Sequence, residues 1–169
     1  MRIAFDLDRT LIPAPGSAME IEPLGWIARA ISSEPLRAGA PKLLRDLRRR
    51  RHEIWLYTTS LRSTARLHLW FLAFGVRLGG IVNQARHDAL LLKGSGTSSK
   101  YPPAFAIELL VDDSEGVAIE GERLGFAVLR LDEEDPSWCS RVERRIAAAE
   151  MVKGLRQSGP VPAPPTHFW

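Results

Sequence analysis

Cysteine, tyrosine and histidine are scarce in this sequence: one, two and four residues among 169. The lone cysteine, Cys139, excludes an internal disulfide and any metal cage built from thiolates, and it suits a reducing cytoplasm. No apolar run is long enough to cross a bilayer, and the opening MRIAFDLD reaches acidic residues too early for a secretory signal. A soluble cytoplasmic protein with no membrane partner is therefore expected. There is no internal repeat. What is present is ordinary for a folded chain: 45% hydrophobic and 25% charged residues, a net charge of +3 and a pI near 9.4. The length suits one domain with a real core. Such mild basicity favours an anionic substrate only slightly over simple solubility.

Strand-like runs alternate with helical ones. The runs Arg2–Asp6, Glu53–Tyr57, Gly80–Val82, Ile107–Val111 and Phe126–Leu131 are nearly continuous in apolar residues. That pattern fits parallel strands covered on both faces. Between them, Pro41 with Leu43, Leu44 and Leu47 marks a helix ending near Arg51, and Ser60 or Ser63 caps a second that Gly75 closes. The stretch GVAIEGERLG is a short helix, and Pro136 opens a long last one. The expectation is an α/β architecture, a mostly parallel five-stranded sheet with right-handed crossovers, occupying residues 1–157. Residues 158–169, SGPVPAPPTHFW, read as a Pro-rich extended tail.

In an open α/β sheet, ligands bind outside the carboxyl ends of the strands. The residues expected there are Asp6 and Asp8 after the first strand, Thr58, Thr59 and Ser60 after the second, and Asp112 and Asp113 after the fourth. Lys100 precedes the fourth strand. Four carboxylates at one edge repel: at about 4 Å and an effective dielectric near 20, each like pair costs about 4 kcal/mol. A bound cation relieves that repulsion, and an all-oxygen ligand set suits Mg²⁺.

The run Asp6-Leu7-Asp8-Arg9-Thr10, Thr58 after a hydrophobic strand, a following lysine and the Asp112-Asp113 pair together resemble the four motifs of the haloacid dehalogenase (HAD) superfamily. They occur in the family's order across most of the chain. DLDRTL and EIWLYTTSL look closest to the small phosphatases related to the RNA polymerase C-terminal-domain phosphatases. The resemblance implies a three-layer, Rossmann-like fold and a phosphohydrolase. Asp6 would become an aspartyl phosphate, with Asp8 as general acid and base. Thr58 would hold a phosphoryl oxygen and Lys100 would neutralise charge. Mg²⁺ would be held by Asp6, the Asp8 carbonyl, Asp113 and Asp112. Family members that are dehalogenases or cation-pumping ATPases usually lack an acid at the position of Asp8, so a phosphatase is the favoured member. Lys93, nineteen residues before Asp112, competes with Lys100, twelve before it. Neither inter-motif stretch has room for a cap domain, which points to an exposed or macromolecular phosphate. The alternatives are a phosphotransferase, a nucleic-acid-end phosphatase and a non-catalytic Mg²⁺-binding module.

Other charges have plainer readings. Arg9, Arg62, Arg66, Arg86 and His87 follow strand ends and are candidates for facing the substrate, Arg9 and Arg62 foremost with Thr59 and Ser60. The run Arg48–Arg51 reads as a solvated helix end, which cations favour, rather than a nucleic-acid patch. Trp55 and Trp70 read as core residues.

Overall fold

In the computed structural model, residues 1–91 and 98–157 are described. Five strands form one all-parallel sheet: β1 (Arg2–Phe5), β2 (Glu53–Tyr57), β3 (Gly80–Val82), β4 (Leu109–Asp112) and β5 (Val128–Arg130), in the order β3-β2-β1-β4-β5. Six α-helices accompany them: α1 (Trp26–Ile31), α2 (Ala40–Arg49), α3 (Thr64–Ala73), α4 (Gln84–Leu91), α5 (Glu115–Leu124) and α6 (Trp138–Gln157). A 3₁₀ turn at Pro102–Phe105 leads into β4.

The central position of β1 explains its composition. Ile3, Ala4 and Phe5 are all fully buried, so the strand has no polar face. Ile3 and Phe5, with Ile54, Leu56, Leu109 and Val111, face one cluster that holds Leu43, Leu44 and Leu47 of α2 and Val142 and Ile146 of α6. Ala4, Trp55, Tyr57 and Leu110 face the other, with Val117 of α5. Helices on both faces make three layers.

Register then sets the site. Phe5 pairs with Leu56 on one side and Val111 on the other, so the three central strands end level. The chain winds outward from β1 through β2 to β3, then returns to β4 and β5 on the opposite side. The reversal of strand order opens a crevice at the carboxyl end of β1. Asp6 stands there, its N–H donating to the Val111 carbonyl at 2.8 Å.

Several boundaries differ from the sequence reading. β4 begins at Leu109 and includes Asp112, because Ile107 still closes the 3₁₀ turn through its N–H to Pro102. β5 is confined to Val128–Arg130. Helix α6 opens at Trp138 rather than Pro136, since the Asp135 carboxylate takes the Ser137 N–H and holds a turn there. Ser63, not Ser60, caps α3. Helix α4 was not anticipated; it lacks an apolar stripe, and its one local signal is Asn83, whose side chain accepts the Arg86 N–H. The Pro-rich stretch and Lys93 lie outside the described residues.

Trp55 is buried as expected, and its ring lies against Gly80. A Cβ at Gly80 would meet three Trp55 ring atoms at 2.7 to 2.8 Å. Gly80→Ala should therefore overpack the β2–β3 contact and cost about 1–3 kcal/mol. Urea unfolding of the two proteins measures this; an unchanged midpoint would contradict it.

Candidate active site

Lys100 lies between two buried acids at the crevice. Its Nζ donates to Asp6 Oδ1 at 2.5 Å and to Asp112 Oδ2 at 2.6 Å. All three side chains are at most 9% exposed. Asp112 is fixed further by the Ser114 N–H on its other oxygen, at 2.9 Å. Thr10 donates to Asp113 at 3.4 Å. One carboxylate oxygen from each of Asp6, Asp112 and Asp113 lies within 4.8 Å of the others.

Three acids thus share one ammonium, and the imbalance is visible in their acidities. Burial pushes the Asp6 carboxyl up to about 7; Lys100 pulls it down and the Asp112 charge adds to the rise. Burial also raises Asp113, with Asp112 contributing. Burial acts to lower Lys100, but the charges of Asp6 and Asp112 and its hydrogen bonds to them outweigh that and leave it raised. A hard, all-oxygen site with surplus negative charge fits a divalent cation of the oxygen-seeking class.

The Asp8 carboxylate does not join this cluster. Arg62 grips it in a two-pronged contact, Nη1 to Oδ2 at 2.8 Å and Nη2 to Oδ1 at 2.7 Å, and also reaches Glu34 at 2.6 Å. The hydrogen bonds that Arg62 donates to Asp8, offset in part by burial, raise the Arg62 pKa further. Any metal role for Asp8 would therefore pass through its main-chain carbonyl. The chain turns sharply after it, with Arg9 at φ 62° and its N–H donating to Ile12. The Arg9 side chain pairs with Glu133 at 3.5 Å, which draws it toward the loop after β5.

Thr58 is buried at the end of β2. Its Oγ1 accepts the Ser60 N–H at 3.1 Å, which leaves its own hydrogen free to donate. Thr59 is exposed beside it. The Ser60 hydroxyl oxygen is buried without a hydrogen-bond partner among the described residues. The Arg48–Arg51 run sits where expected, at the end of α2 before β2, with Arg49 paired to Asp46 and Arg50 to Glu150.

No family model matches the sequence, and no curated protein matches it. Among solved structures, one described as a predicted HAD-like family hydrolase from Porphyromonas gingivalis aligns with a TM-score of 0.50 at 15% identity. The alignment covers 86% of this chain and 97% of that one. The fold is HAD-like. Two further alignments are to structures of a Pnkp1/Rnl/Hen1 complex and of the Pnkp1/Rnl/Hen1 RNA repair complex. Their TM-scores are 0.49 and 0.46, at 16% and 14% identity, each covering 79% of this chain. The chain spans 47% and 43% of the length of those two.

Within this HAD-like sheet, Tyr57, which the sequence reading gave no role at the site, and His87 brace the Lys100 segment. His87, a candidate for facing substrate, is instead buried under the site. Its Nε2 is 3.0 Å from the Ser98 carbonyl and its Nδ1 is 2.7 Å from the Tyr57 hydroxyl. A carbonyl only accepts, so Nε2 carries a hydrogen; Nδ1 then accepts from Tyr57, whose oxygen accepts the Tyr101 N–H at 2.9 Å. Burial pushes the Tyr57 phenol up to about 12. Ser98 and Tyr101 flank Lys100, so this chain of bonds holds the lysine from both sides. Arg86 turns away to the Ile81 carbonyl and stacks on Trp55 and Phe105.

Tyr57→Phe removes one link and strands the Tyr101 amide and His87 Nδ1. It should cost about 1–3 kcal/mol and accelerate amide exchange at Tyr101. Hydrogen exchange read by NMR checks this, and unchanged protection at Tyr101 would contradict the bracing role.

Proposed function

We propose that this protein is a Mg²⁺-dependent phosphomonoester phosphatase that works through an aspartyl phosphate at Asp6. One observation carries the reading: a carboxylate, Asp6, buried beside an ammonium and two further acids, at the strand-order reversal of a HAD-like sheet. A nucleophile there has a charge-neutralising partner and a cation-binding oxygen set at hand.

Asp6 attacks phosphorus in line, forming the acyl-phosphate bond as the ester P–O bond breaks. Asp8, protonated once Arg62 yields one of its two oxygens, gives that proton to the departing oxygen. It then takes a proton from the water that attacks the same phosphorus and frees Asp6. The free hydrogen of Thr58 donates to a phosphoryl oxygen, and Lys100 offsets charge on Asp6 and the phosphate. Asp6, Asp113, Asp112 and the Asp8 carbonyl would hold Mg²⁺, which would supply neutralisation of the phosphoryl charge. Substrate contacts are assigned to Thr59, Ser60, Arg62 and Arg9, of which Arg62 already reaches Asp8. Residues 1–157 act as one capless unit, open to an exposed or chain-borne phosphate, in a reducing cytoplasm.

Hydrolysis of an aryl phosphate with Mg²⁺, with EDTA and with Asp6→Asn tests the reading. Activity should require the metal and fall by about 10³-fold or more in Asp6→Asn. Turnover that persists in either condition would contradict the mechanism.

The raised pKa of Asp6 adds a pH dependence. Metal binding must displace the proton that Asp6 retains below about 7. Mg²⁺ affinity should accordingly climb as pH rises toward 7, by up to roughly tenfold per unit, and level off above it. Calorimetric titration at several pH values checks this; a flat profile between pH 5.5 and 7 would contradict the shift.

A further inference from the structure

A cavity of about 380 Å³ adjoins the Asp8 side of the site, between the end of α1 and the start of α3. Its walls include Ser32, Glu34, Arg62, Ser63, Arg66 and Trp70. Arg62 connects the two regions, since the same guanidinium that lines the cavity grips Asp8. In the phosphatase reading Asp8 protonates the leaving oxygen, so the alcohol portion of the substrate departs on this side. The volume suits a sugar- or nucleoside-sized group.

The walls offer more hydrogen-bond donors than acceptors. Glu34 and Asp8 are already taken by Arg62. Arg66 uses only Nε, donating to the Ile31 carbonyl at 2.8 Å, so its two terminal nitrogens have no partner among the described residues. The first turn of α3 contains no acidic residue, and its cap, Ser63, accepts the Arg66 N–H. The positive end of that helix, capped by Ser63 and with no acid in its own first turn, lies at the cavity wall. Trp70 is 1% exposed, and its indole N–H has no partner among the described residues.

We propose, on the phosphatase reading above, that this cavity is the leaving-group pocket and selects phosphomonoesters whose alcohol carries a second anionic group. That group would be received by the two terminal nitrogens of Arg66, beside the first turn of α3. Arg62 stays with Asp8 and forms the wall between the two phosphate positions. A substrate with a lone phosphate gains no contact with Arg66, which stays hydrated, and binds less well.

The test compares kcat/KM for thymidine 3′,5′-bisphosphate with the two thymidine monophosphates, and for 2-phosphoglycerate with glycerol 2-phosphate, alongside an aryl phosphate. The doubly anionic member of each set should be favoured roughly tenfold or more, the scale of one charge-assisted hydrogen bond. Arg66→Gln should bring that ratio close to one, while Arg66→Lys, which keeps the charge, should retain most of it. Thermal unfolding of both variants separates loss of fold from loss of preference. A wild-type ratio near one, or a ratio unchanged in Arg66→Gln, overturns the pocket while aryl phosphate turnover leaves the phosphatase reading standing. No turnover of any ester, aryl phosphate included, overturns both. A 5′-phosphorylated dithymidylate favoured as strongly as the bisphosphate would support the proposal and make its source a chain end.

Discussion

The buried contact of Lys100 with Asp6 and Asp112 is the constraint around which the rest of the molecule is arranged. Burying one charge is costly, and burying three groups of mixed sign is tolerable only when each is held against the others. Asp6 is carried by the central strand, Asp112 by its neighbour and Lys100 by the segment before that neighbour. None of these placements is free to move alone. The level ending of β1, β2 and β4 and the 3₁₀ turn ahead of β4 all serve to bring the three to one point. The Tyr57–His87 pair secures the lysine segment on both flanks from the second face of the sheet.

The same contact leaves the acids short of positive charge. A single ammonium serves Asp6, Asp112 and, more distantly, Asp113, and burial raises the pKa of both Asp6 and Asp113. Asp8 has been given a separate partner. Its grip by Arg62, itself shared with Glu34, keeps the second acid of the DxD pair out of the cluster and beside the cavity at α3. Two carboxylates two residues apart therefore occupy different electrostatic settings, as the proposed division between a nucleophile and a proton-exchanging acid requires.

Much of this was legible in the sequence, for a physical reason. A strand buried on both faces has no choice but to be apolar, so Ile3 to Phe5, Ile54 to Tyr57 and Leu109 to Val111 announce themselves, and polar residues at their ends stand out. The α/β class, the five strands and the acids at their carboxyl ends follow from that. Less was legible where partnership depends on folding. Nothing in the spacing of Tyr57, His87 and Ser98 tells that they bond, nor that Arg62 joins Asp8 to Glu34 or that Arg9 turns to Glu133. Helix α4 was missed because half its surface does not contrast with the other half. The start of α6 was misplaced because a proline that suits a first helical turn also suits the turn before it.

The most direct measurement is ¹⁹F NMR of the protein with beryllofluoride and Mg²⁺, which form a phosphoryl mimic on a nucleophilic carboxylate. Bound resonances in the native protein that vanish in Asp6→Asn are expected if Asp6, set between Lys100 and the acids, accepts a phosphoryl group. Absence of bound resonances in the native protein, or their survival in Asp6→Asn, would contradict that role for the cluster.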